Sequence, residues 1–214
     1  MARRGDHRRN PAVAAMLLLT PILLSLLLSG CGLLSGPRPL SADAPLIMEV
    51  TSAAESKAGV LPRQFTCYGA GLTPPVSWSG APVHTKSYAL VIDDADAPIT
   101  PWVYWMVFDI GAATTYTQQG MLPPSARVAR NSTGQAAYDP PCPAGAPHKY
   151  RITVYALNTV LGNGLTSQPQ LLPTWTDIAP HVIARGTTTV TACPVTGPGA
   201  ATPPCKPPRP ARQH

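Results

Sequence analysis

The chain has 214 residues, 44% of them hydrophobic, and a formal charge of +6. Residues 45–192 hold eight basic and eight acidic residues, so the excess charge sits at the two ends. With no basic stripe interleaved with aromatics, this distribution excludes a nucleic-acid-binding surface.

The chain opens with Arg3, Arg4, Arg8 and Arg9, followed by the apolar run Ala12–Leu28 and the tetrad Leu28-Ser29-Gly30-Cys31. A basic start, an apolar centre and small residues before a cleavage point make residues 1–30 an export signal. The tetrad matches the bacterial lipobox, in which cleavage falls before a cysteine whose thiol takes diacylglycerol. An uncleaved signal anchor is the alternative, because the run is nearly long enough to span a bilayer; Pro21 and the Ser29-Gly30 pair favour cleavage. The mature chain is expected to start at a lipidated Cys31, anchored to the outer face of the plasma membrane in the cell envelope. Two or more acyl chains hold stably there. Residues 31–44 form a Pro/Gly/Ser tether, leaving residues 45–192 as one domain of ordinary size.

In that domain Leu46–Thr51 reads as a first strand and Val60–Thr66 as a second. Pro74 and Pro75 cannot lie inside a central strand, so they introduce a short edge strand, Val76–Trp78, with Trp78 in the core. Next come two apolar runs, Ser87–Ile92 and Trp102–Ile110, around a loop holding Asp93, Asp94, Asp96, Pro98 and Pro101. They read as buried strands whose connection carries acids. Carboxylates at the end of a buried strand need a partner, and His148, in the segment PCPAGAPHKY, is the candidate. Trp102 and Trp105 alternate with Val103 and Tyr104, so both tryptophans are expected to face away from the pocket side and fill the core.

Residues 111–121 are turn-like, and 123–147 form one long functional or disulfide-pinned loop. Tyr150–Leu157 resumes the sheet with Tyr150, Ile152 and Val154 on one face. Leu172–Ala184 is the helix candidate: Thr174 and Asp177 fit a T-x-x-D start, and Trp175, Ile178 and Val182 share a face. Pro180 is expected to kink or shorten it. Gly186 leads into a closing strand, Thr187–Thr191, and residues 193–214 make a Pro-rich basic tail. Strands dominate, so the domain is mainly β with one or two peripheral short helices.

Five cysteines in an exported chain point to an oxidising compartment. With Cys31 set aside, Cys67, Cys142, Cys193 and Cys205 allow three pairings. The favoured one joins Cys67 to Cys142, both in loops near the proposed site, and Cys193 to Cys205 at the C-terminal end. No C-x-x-C occurs and the histidines are scattered, so no metal or cofactor is expected.

Several segments together resemble the phosphatidylethanolamine-binding protein family, in its bacterial Raf-kinase-inhibitor-like branch. They are FTCYG (Phe65–Gly69), TPPVSWSGAP (Thr73–Pro82), YALVIDDADAP (Tyr88–Pro98), WVYWMVFDI (Trp102–Ile110), RNSTGQAAY (Arg130–Tyr138), PCPAG (Pro141–Gly145), HKYRITVYAL (His148–Leu157) and HVIARG (His181–Gly186). They occur in family order across nearly the whole domain. The resemblance implies an antiparallel β-sandwich-like fold with a small pocket that accepts phosphate-like and carboxylate anions. Carried over by position, its ligand-binding residues are Asp94, Tyr104, His148, Tyr150 and Pro143 of the PCPAG segment, with Asp96 among them as support for the loop.

One departure matters: Tyr104 stands where the family usually has histidine. Its hydroxyl can donate a hydrogen bond but brings no positive charge at neutral pH, which implies weaker binding of dianionic phosphate. Pro140 and Ala144 also depart from the family's usual glycine and proline, reshaping the rim.

These readings describe a non-enzymatic, membrane-tethered binding protein for a small anion or phospholipid headgroup. The alternative is a regulator or inhibitor of an envelope protein partner such as a protease. A hydrolase is disfavoured, since the sequence has no G-x-S-x-G elbow, metal spacing or paired nucleophile and base.

Overall fold

A computed structural model describes residues 44–45, 47–53, 59–97, 101–162 and 169–195. The export signal, Cys31, most of the tether, Pro98 and the tail from residue 196, Cys205 included, lie outside the described residues.

Strand β3 (Ser87–Asp94) is buried along nearly its whole length and apolar from Tyr88 to Ile92, and the structure shows why: both of its faces are covered. Continuous apolar runs are the signature of such strands, whereas half-exposed strands alternate. Here β3 is the centre of a five-stranded antiparallel sheet. It pairs on one side with β4 (Val103–Gly111) and on the other with β7 (His148–Leu157). The two-residue β6 (Arg127–Val128) extends the sheet beyond β4, and β8 (Val182–Ala192) extends it beyond β7.

A second sheet of three strands packs on one face. It contains β1 (Glu49–Thr51), β2 (Val76–Ser79) and β5 (Tyr116–Thr117), with β2 in the middle. Met48, Val50, Val76 and Trp78 from this side meet Leu90, Ile92, Val107, Tyr150, Ile152 and Val154 of the large sheet. The opposite face is covered by helix α1 (Leu171–Ile178), whose Trp175 and Ile178 pack on Val91, Met106, Phe108 and Tyr155. Trp175 and Tyr155 meet edge to face at 5.0 Å. The chain is thus a mainly antiparallel β-sandwich with one short helix on its outer face.

The sheets approach closely where β1 leans on the middle of β8. Met48 donates its N–H to the Arg185 carbonyl at 3.1 Å, and Arg185 returns its own N–H to the Pro45 carbonyl at 3.1 Å. A Cβ at Gly186 would lie 2.4 Å from the Met48 carbonyl oxygen, so only glycine fits there unchanged.

Several local expectations need correction. The stretch Val60–Thr66 is not a strand: Val60 makes one isolated bridge to Thr191, and Arg63–Phe65 then form a 3-10 turn. Pro62 supplies no N–H but accepts that of Phe65, which favours the turn. Strand β2 is central in the small sheet rather than at its edge, because both prolines precede it. Helix α1 starts at Leu171 after Gln170, and Thr174 lies inside it, bonding back to the Gln170 carbonyl at 2.7 Å. It ends in a 3-10 turn at Ala179–His181, and Val182 begins β8 instead of continuing the helix.

Candidate functional site

The site is built at the end of the sheet where β3 stops and β7 begins. Asp94 closes β3 opposite Tyr150 of β7, so register alone sets these two side by side. Backbone bonds then stitch the acidic loop to the start of β7. Asp94 gives its N–H to the Trp102 carbonyl, and Ala95 gives its N–H to the Lys149 carbonyl, each at 2.9 Å. Asp96 donates its N–H to Asp94 Oδ1 at 2.9 Å, an Asx turn, while its own carboxylate accepts the Lys149 N–H at 2.8 Å.

His148, the first residue of β7, lies with Nδ1 3.3 Å from Asp94 Oδ2. Its side chain is 41% exposed, whereas that of Asp94 is only 10% exposed. Asp94 is the buried floor of the site and His148 its open wall. Among the described residues, His148 is the one basic side chain within ion-pair distance of Asp94 or Asp96.

Tyr104 reaches the same place through a β-bulge. Ile92 pairs with Trp105 and Asp93 with Val103, leaving Tyr104 as the extra residue of β4. Its ring meets that of Tyr150 edge to face at 5.2 Å. Burial first, and then the nearby Asp94 charge, push the Tyr104 phenol up. Burial likewise raises Tyr150, followed by the neighbouring Tyr104 and the Asp94 charge. Both phenols therefore stay protonated, and both remain hydrogen-bond donors facing a carboxylate.

Of the two tryptophans expected to fill the core, Trp105 does so and Trp102 does not. Alternation breaks at Tyr104, so Tyr104 and Trp105 pack toward the same core. Trp105 is buried, but Trp102 precedes the strand and is 45% exposed beside the acidic loop.

The disulfide Cys67–Cys142, Cα–Cα 5.2 Å, fixes the rim. It ties the turn after Phe65 to the loop that delivers His148. Around it, Cys67 donates its N–H to the Pro141 carbonyl at 3.1 Å, and the Tyr68 hydroxyl donates to the Pro143 carbonyl at 2.6 Å. Pro143 thus serves as a buried anchor of the rim. Cys193 is also disulfide-bonded, and the Cys205 expected as its partner lies outside the described residues.

Two neighbours of the site escaped the sequence reading. The Asp139 N–H donates to the Tyr104 carbonyl at 3.0 Å, and the Tyr138 hydroxyl donates to the Phe65 carbonyl at 2.8 Å. Burial pushes both side chains up, with the Asp139 charge adding to the shift of Tyr138. Buried Asn131 holds their loop, accepting the N–H groups of Thr133 and Gln135 at 3.0 Å and donating to the Ala137 carbonyl. The turn-forming run Asn131-Ser132-Thr133-Gly134 is the available signal.

Although the sequence shows no metal-ligand spacing, one ligand atom each from Asp94, Asp96 and His148 lie within 4.8 Å of one another. A cleft of about 370 Å³, lined by Tyr116, Met121, Leu122 and Pro123, contains none of the site residues.

The fold is thus a sandwich whose large sheet carries Asp94, Asp96, Tyr104, His148 and Tyr150 together at one end. The pattern of the phosphatidylethanolamine-binding protein family matches residues 51–192, and the chain belongs to that family. A relative from Methanothermobacter thermautotrophicus, named only as a UPF0098 protein, is 37% identical over 119 residues, covering 53% of this chain and 79% of its own. A Mycobacterium tuberculosis protein with the provisional name lipoprotein LppC is 35% identical over 125 residues, covering 58% of this chain and 61% of its own.

Among solved structures, Escherichia coli YbcL, described as a member of the mammalian family, superposes with a TM-score of 0.62 at 28% identity, over 70% of this chain and 99% of its own. A Chlamydia trachomatis homologue gives 0.59 at 29% identity, over 68% and 96%. None of these relatives is named as an enzyme.

Proposed function

We propose that this protein is a non-enzymatic binding protein, tethered to the outer face of the plasma membrane through Cys31, whose pocket takes a phosphate- or carboxylate-type anion such as a phospholipid headgroup. The observation that carries this reading is the meeting of Asp94, Tyr104, His148 and Tyr150 at one mouth of the sheet. The phenols and the imidazole can supply N–H and O–H donors to an oxyanion. Asp94 orients His148, and Asp96 holds the loop. The family name and the lipoprotein name of a relative support the headgroup and the anchor.

Calorimetric titration of phosphate and phosphoethanolamine into the full chain in detergent tests this. One site per chain, weakened at least tenfold in His148→Ala and Tyr150→Phe, is the expected result. Absence of binding, or binding indifferent to both substitutions, overturns it.

A second reading, regulation of an envelope protein, is favoured by the exposed Tyr116, Met121 and Leu122 around the apolar cleft. Cross-linking in whole cells tests it: one protein partner recovered with wild type and lost with Met121→Asp supports it, and none sinks it.

A further inference from the structure

The pocket has the wrong charge for the anion proposed for it. Two carboxylates, Asp94 and Asp96, face one imidazole, with the Asp139 backbone bonded to Tyr104 beside them. The position that could have brought a second cation is the neutral Tyr104. Arg151, the nearest arginine in sequence, is committed to Asp93 through two hydrogen bonds. An oxyanion entering this site alone meets more negative charge than positive.

The same three side chains have the composition of a cation site. They offer two carboxylate oxygens and one imidazole nitrogen, within 4.8 Å of one another and drawn from two elements that backbone bonds lock together. Mixed carboxylate and imidazole donors suit first-row divalent ions such as Zn2+ and Mn2+. His148 and Asp96 are open to solvent on the outer side, so three protein ligands would leave positions free. Sites with that arrangement present the metal to an incoming oxygen.

We infer that Asp94, Asp96 and His148 bind a divalent cation of the Zn2+ or Mn2+ kind, and that its open positions receive the phosphate oxygens of the ligand. The second half rests on the function proposed above; the first half does not. The cation cancels the charge of the two carboxylates and does the work that a second histidine would do at Tyr104.

The test uses the full chain in detergent, stripped with a chelator, and titrated first with ZnCl2 or MnCl2 and then with inorganic phosphate. One metal per chain is expected. Affinity should fall at least tenfold in Asp96→Asn and His148→Ala, and remain unchanged in His181→Ala, a histidine paired with Asn158 at the far end of β7. Phosphate should bind at least tenfold more tightly to the metal-loaded protein. No stoichiometric metal, or metal binding indifferent to Asp96→Asn and His148→Ala, overturns the cation site. Phosphate binding equally well with and without metal overturns the bridging role and leaves the anion pocket standing. Metal binding with no phosphate binding under either condition keeps the cation site and removes the anion pocket.

Discussion

His148 and Asp94 are 54 residues apart in sequence, yet Nδ1 of one lies 3.3 Å from Oδ2 of the other. The contact joins an exposed imidazole to a nearly buried carboxylate, so the charge on Asp94 is felt by whatever enters the pocket. Asp94→Asn keeps an acceptor for the Asp96 N–H while removing that charge. In metal-free protein it should tighten phosphate by about fivefold or more, the scale of one like charge removed from about 4 Å away in a water-like dielectric. In metal-loaded protein it should instead weaken phosphate, because a cation ligand is lost. Titrations in the two conditions check the change of sign.

Tyr104→His restores a group that can carry positive charge at the bulge. A charge-assisted hydrogen bond adds about 1–2 kcal/mol over a neutral one. Phosphate affinity without metal should therefore rise about tenfold, and the dependence of phosphate binding on added metal should shrink. Equal metal-free affinities for wild type and variant would remove Tyr104 from the account.

The Cys67–Cys142 bridge spans a sequence separation of 75 residues and pins the loop that ends at His148. The double variant Cys67→Ser/Cys142→Ser should lose about 2–5 kcal/mol of stability. For a chain of this size that lowers the melting temperature by roughly 5–15 °C. It should also weaken phosphate binding, since Pro141 and Pro143 are held beside the bridge. A lowered melting temperature with unchanged phosphate affinity would mean that the bridge stabilises the domain without shaping the pocket.

How much of this was legible depends on what each feature is made of. Strand β3 announces itself by the apolar run Tyr88–Ile92, which burial on both faces demands, and β7 by the alternation of Tyr150, Ile152 and Val154. Strands β5 and β6, of two residues each, carry no period to read. The start of β8 reads as helix because Ile178 and Val182 sit four apart, a spacing that tertiary structure overrides with a 3-10 turn at Ala179–His181. Alternation places Trp105 in the core correctly and misleads at Trp102, which precedes β4; the bulge that sets Tyr104 beside Trp105 is a property of strand pairing. Asp94 and His148 could be paired in advance because a strand-end carboxylate needs a partner. Tyr138 and Asp139 could not, lying in a loop whose order comes from Asn131.

Gly186 lies in the middle of β8, where a side chain would ordinarily help. A Cβ there would come within 2.4 Å of the Met48 carbonyl and 2.7 Å of Val50 Cγ2. Because the nearest atom is backbone, relief requires β1 to move off β8. Gly186→Ala should cost about 1–3 kcal/mol, read as a lower urea midpoint with an unchanged slope. An unchanged midpoint would show that the two sheets adjust freely at this contact.

Tyr155 sets an alkaline limit on stability. Its ring is buried against Trp175, and burial pushes its phenol up to about 12, the Asp93 charge adding to the effect and Arg151 and Arg185 opposing it. An unfolded chain releases the same proton near pH 10. Between those values the native state holds a proton that the unfolded state has lost, so stability falls as pH rises. The neutral phenol's contribution is complete below about pH 10 and lost by about pH 12, an effect on the order of 2 kcal/mol. Tyr155→Phe has no proton to release there. Its urea midpoint should lie at or below that of wild type at about pH 8, and the gap should close or reverse toward about pH 12. Parallel declines in the two proteins would place the alkaline loss on Tyr138 and Tyr150, whose phenols are also raised by burial.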